Sequence, residues 1–193
     1  MSADVSPRSR ALPRFLTLSL ARELGVLLAL SLLFPFLIHV LPVPGDARLG
    51  PRLLPMFYAP LLAVLVGRLP TALLVALLAP WLNRALTGHP PAPMAAAMTV
   101  ELTAFAIALR WLIARHGLRW WFAVPAFAAS KLAMTVLVAL VPTLIGGRAA
   151  LAWAGQTTVT SLPGVAILVG LTLLVAKLYP GAGSGNGGGP AAA

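Results

Sequence analysis

Apolar residues in this chain fall in long continuous runs, not in the strict alternation of a strand or the one-sided stripe of a soluble helix. Six runs approach the roughly 20 residues that a helix needs to cross a bilayer core of about 30 Å. They cover about Leu24–Leu41, Leu53–Gly67, Pro70–Thr87, Pro93–Ile113, Trp121–Ile145 and Thr158–Leu178. The second and third are short and separated only by Arg68-Leu69-Pro70, which predicts a tight helical hairpin with proline in the first turn, where its missing N–H costs nothing. Pro35, Pro60, Pro80, Pro125 and Pro142 are expected to kink their helices. A β-barrel needs short alternating segments, so helices are favoured. The pattern predicts an all-α integral membrane protein: six transmembrane helices in one compact bundle over residues 19–180. A flexible basic segment, 1–18, is expected before it and a disordered Gly-rich tail, 181–193, after it. The first run lacks a small-x-small cleavage site before Pro42, and reads as a retained span in preference to a signal peptide.

Composition agrees. Charged residues make up 9% of the 193 positions and mean hydropathy is +0.94, whereas a soluble domain carries roughly 25% charged residues. Cysteine is absent, which removes disulfides, thiolate metal sites and thiol catalysis. The net charge of +10 points to orientation, not nucleic acid, because the arginines lie between the apolar runs. With the N-terminus inside, the inner segments hold Arg8, Arg10, Arg14, Arg22, Arg68, Arg110, Arg115, Arg119 and Lys177. The outer ones hold Arg48, Arg52, Arg84 and Arg148. Both termini are therefore expected in the cytoplasm, with the chain multi-pass in the cell inner (cytoplasmic) membrane.

Two charges lie deep inside runs. Glu101 is about 12 Å and Lys131 about 15 Å from the nearer ends of their helices, so both approach the midplane. An intramembrane charge is a functional-site candidate by default. A Glu101–Lys131 ion pair that only locks two helices is an equal alternative, and the small-residue face around Glu101 (Ala97, Met98, Ala104 and Phe105) suits either close packing or a cavity wall. Other polar and aromatic groups gather toward the outer ends: His39, Tyr58, Trp81, Asn83, His89 and Thr158, with Thr157, Thr160 and Ser161. Singly, Tyr58 and Trp81 read as interfacial anchors and the histidines as solvated helix ends. Together they outline an outward-facing substrate site with Glu101 and Lys131. Trp120 and Trp121 read as anchors at the opposite interface. Ala21, Gly25 and Ala29 form a small-x-x-x-small series that would let another helix approach closely.

From Pro35 to about Leu112 the chain resembles the S components of energy-coupling factor (ECF) transporters. The matching pieces are Pro35-Phe36-Leu37-Ile38-His39, Leu54-Pro55-Met56 with Pro60 and Gly67, and Pro80-Trp81-Leu82-Asn83-Arg84-Ala85-Leu86-Thr87-Gly88-His89-Pro90-Pro91, followed by Glu101. Phe57, Val64 and Asn83 stand where the family more often has His, Gly and Ser, which bears on the substrate more than on the class. The resemblance implies a subunit that captures a vitamin or related micronutrient. It implies docking, through Ala21, Gly25 and Ala29, onto a membrane coupling (T) subunit that works with paired ATPase subunits. No phosphate-loop motif is present, so ATP hydrolysis belongs to those partners. No cofactor or metal is expected, and no catalytic constellation at workable spacing lies within a span, so an enzyme is not expected. The alternatives are a stand-alone secondary transporter with Glu101 as a proton or ion relay, and a non-transporting membrane assembly protein. The relay reading calls for repeats or broken helices at matched positions.

Overall fold

The computed structural model describes residues 14–40, 49–66, 68–145 and 149–178. Among these every element is helical. They are α1 (Arg14–Val40), α2 (Leu49–Leu53), α3 (Pro55–Val66), α4 (Leu69–Thr87), α5 (Ala92–His116), α6 (Ala123–Leu140), α7 (Ala150–Thr160) and α8 (Leu162–Leu178). Single 3-10 turns at Trp120–Phe122 and Pro142–Ile145 flank α6.

Four described helices are long and apolar enough to cross a membrane: the Leu20–Ile38 part of α1, then α4, α5, and α6 with its leading turn. The α7–α8 pair makes a fifth if its two arms, bent by 55°, form one span. The chain is a multi-pass membrane protein. The second predicted run, expected to be short, lies in an apolar helix over Gly50–Val66 that is broken at Leu54 and too short to count among these spans.

α3 sits at the centre. It is apolar all round, which a helix tolerates only when enclosed on every side. Ten of its residues are buried, and it packs against α1, α4, α5 and α8. Its neighbours turn single faces toward the core at helical spacing. These are Ala72, Val75, Ala76 and Ala79 of α4; Leu102, Phe105, Ala106, Leu109 and Ile113 of α5; and Ala126, Phe127, Ser130 and Met134 of α6. The outward faces are equally apolar (Leu33, Phe36, Ile107, Leu132, Val136), as lipid requires and water does not.

Several boundaries differ from the sequence expectation. α1 begins at Arg14, so residues 14–18 are helical where a flexible segment was expected. Residues 1–13 and the tail 181–193 lie outside the described residues. Pro35, Pro60 and Pro80 lie inside α1, α3 and α4. Pro142, by contrast, follows the end of α6 and opens a separate turn, and Pro125 falls in the first turn of α6, where no intrahelical N–H is needed. The sharpest break is one the sequence reading did not place, at Ser161. Pro163 has no N–H to give the ladder and its ring crowds the carbonyl four residues back. Ser161 itself bonds back to Thr157, a habit that bends helices.

The two broken segments dock on each other. Leu54, between α2 and α3, adopts φ +53°, an uncommon backbone for a branched residue. The Tyr58 hydroxyl donates to the Leu53 carbonyl, and Leu54 N–H donates to Gly50 O at 3.2 Å. Gly164 of α8 lies against this elbow so closely that a Cβ there would stand 2.8 Å from Arg52 O, Leu53 C and Leu54 Cγ. The Ser161 hydroxyl reaches the Pro51 carbonyl at 3.1 Å.

Candidate functional site

Antiparallel α5 and α6 bring the two deep charges together. Lys131 Nζ lies 2.6 Å from Glu101 Oε1, and each side chain is 11% exposed. The ammonium also stands 5.2 Å from the centre of the Phe127 ring, one turn earlier on α6. A cation over a ring face is favourable, and more so out of water. Phe127 in turn meets Phe57, at 5.8 Å between ring centres, and Phe57 meets Phe105 edge-on at 5.2 Å. Phe105 is one turn from Glu101, so an aromatic tier from α3, α5 and α6 closes one side of the pair. A second apolar group closes the other: Ala97, Met134 and Val138, with Ala150 and Trp153 of α7 packed on them. At Ala97 the small face beside Glu101 is closely packed. Phe127 and Trp153 were not among the residues expected here, and Phe57 was expected only as a departure from the family pattern. Phe127 was accessible to sequence reasoning, since it lies four residues before Lys131 on one helical face.

α4 carries Trp81 and Asn83, and the turn after it carries His89. Gly88 has φ +76° and its N–H donates to Arg84 O at 2.8 Å, a left-handed helix stop. The Thr87 hydroxyl lies 2.7 Å from Asn83 O and 3.0 Å from His89 O, and accepts the His89 N–H at 3.2 Å. The Arg84 guanidinium donates to Pro90 O at 3.3 Å. The Thr-Gly-His-Pro-Pro stretch is therefore a self-bonded turn, and His89 is exposed on it. A Cβ on Gly88 would meet nothing within 4 Å. Gly88→Ala should therefore lose only the left-handed conformational preference, about 1–2 kcal/mol, measurable as a lowered melting temperature in detergent.

The remaining candidates disperse. Trp81 is 43% exposed, as befits an interface residue. Tyr58 turns to α1, edge-on to Phe34 at 5.3 Å, while its neighbour Phe57 turns to α5 and α6. Its hydroxyl serves the α2–α3 elbow. Thr158 is half-buried in the last turns of α7. Thr157 and Thr160 bond back to Ala154 and Gln156, so those hydroxyls belong to the helix. The side chain of His39 lies outside the described residues. Ala21, Gly25 and Ala29 are exposed on α1, and a Cβ on Gly25 would meet nothing. No protein-family model, curated protein sequence or solved structure matches the chain.

Proposed function

We propose that the chain is the substrate-capturing subunit of an ECF-type importer for a vitamin or related micronutrient. In this reading it crosses the cell membrane six times, α2–α3 and α7–α8 each counting as one crossing, with both termini cytoplasmic. The observation that carries it is the Glu101–Lys131 pair: two charges held near mid-helix between apolar tiers, where hydrocarbon penalises them. A polar cargo entering from the α4–α5 end exchanges its own hydrogen bonds for part of that pair, with Phe57 and Phe127 beneath a flat ring. α7 is the cover. None of its residues is buried, and it rests on the bundle through Ala150 and Trp153. Lifting it uncovers the pair without unpacking α3.

Docking onto the coupling subunit uses the exposed α1 face at Ala21, Gly25 and Ala29. Because a Cβ on Gly25 would meet no other helix among the described residues, Gly25→Leu should leave folding and cargo binding intact. It should impair uptake in cells that co-express the coupling and ATPase subunits. Uptake equal to wild type at equal expression would remove α1 from the docking role.

A secondary transporter is favoured by one observation, the broken α7–α8 helix, since unwound spans mark many such sites. The two breaks fall in the second and sixth predicted spans, however, which do not correspond in a three-plus-three inverted repeat. Uptake by proteoliposomes holding this chain alone, driven by a proton gradient and lost in Glu101→Gln, would establish that alternative. Absence of any transport with or without partners would leave an assembly role.

A further inference from the structure

The end of the bundle away from the α4–α5 turn concentrates cations and tryptophans. Arg115 ends α5, Arg119 and Trp120 lie in the following turn with Trp121, and Lys177 lies in the last turn of α8. α8 packs on the Trp120–Phe122 turn, so two segments distant in sequence meet at this end. All are exposed, and the Arg115 guanidinium lies over the Trp111 ring at 5.3 Å from its centre. Among the described residues the one ion pair is Glu101–Lys131, and Glu23 is the only other carboxylate. Arg115, Arg119 and Lys177 therefore form no ion pair among the described residues. At the other end Arg84 is engaged with a backbone carbonyl, which leaves Arg52 as the exposed arginine there among the described residues.

Exposed tryptophans on an apolar bundle settle at headgroup depth. Cations beside them meet phosphates before bulk water. We propose that Arg115, Arg119 and Lys177 bind the phosphate of an anionic phospholipid, with Trp111, Trp120 and Trp121 against its glycerol and upper acyl chains. The site is independent of any cargo and of the importer reading. It fixes the depth of the α5–α6 turn and of the end of α8, and so of the helices that carry Lys131 and Gly164.

The test is lipid retention after reconstitution into vesicles of mixed phosphatidylcholine and phosphatidylglycerol, followed by mild extraction and mass spectrometry. Wild type should retain phosphatidylglycerol enriched about five-fold over its bulk share, the factor that roughly one favourable cation contact supplies. R115Q/R119Q/K177Q should retain lipid at the bulk ratio, while R52Q/R84Q should match wild type. Arg119→Gln alone, a milder change, should lower the enrichment measurably if the triple variant does not fold. Wild type without enrichment would leave the patch to some other partner and overturn the proposal. Equal loss in R52Q/R84Q would also overturn it, since diffuse charge then suffices.

Discussion

Replacing Gly164 with alanine should destabilise the protein by about 3 kcal/mol or more, at the upper end of what one added methyl does in a packed core. The reason is the identity of the atoms it meets. The new Cβ would stand 2.8 Å from Arg52 O, Leu53 C and Leu54 Cγ, and two of these are backbone. A flexible side-chain tip could swing aside. The elbow cannot, because Leu54 N–H is bonded to Gly50, the Leu53 carbonyl accepts from Tyr58, and Pro55 begins the next helix. Gly170→Ala is the control in the same helix. There a Cβ meets open space, so the helix should gain up to about 1 kcal/mol in propensity. Thermal denaturation in one detergent compares them directly. Equal stability of the two variants would mean that the elbow and α8 do not touch as described.

Glu101→Gln and Lys131→Met should each cost about 3–5 kcal/mol, because each strands the partner's charge away from water. The double variant should recover most of that loss, since no charge is then left away from water and a neutral amide costs far less there than an ion. The recovery separates the two readings of the pair. If cargo binding by the double variant is abolished at near-normal stability, the charges contact cargo. If binding persists, they serve only to lock α5 to α6, and the capture site must lie elsewhere. Mass spectrometry of what co-purifies with wild type supplies the ligand for that measurement.

How much of this the sequence revealed follows from membrane physics. Continuous apolar runs mark spans because hydrocarbon demands them, and α4, α5 and α6 came close to their observed limits. The same physics hides the core. Leu132, facing lipid, and Met134, buried, are both apolar, so no periodicity distinguishes the inside face. Glu101 and Lys131 could be placed by depth, yet their contact depends on the rotation of α5 against α6. Tyr58 and Phe57 show the limit most clearly. They are adjacent and both aromatic, but helical geometry sends one to α1 and the other toward the ion pair. The hydroxyls at 157, 160 and 161 looked like a polar rim, whereas they attend a bend in the chain's last span. Pro163-Gly164 was the signal for that bend.

The docking of the two elbows also sets an order of events during synthesis. The Ser161 hydroxyl and the Pro51 carbonyl are 110 residues apart. When the hairpin of α3 and α4 enters the membrane, α8 has not yet been made. Until then the groove that will hold Gly164 is open, and the central helix has lipid, or an insertion factor, where its last neighbour belongs. A helix made early thus waits for one made much later. Truncation before residue 164 should accordingly leave α3 accessible to degradation even with every earlier span inserted.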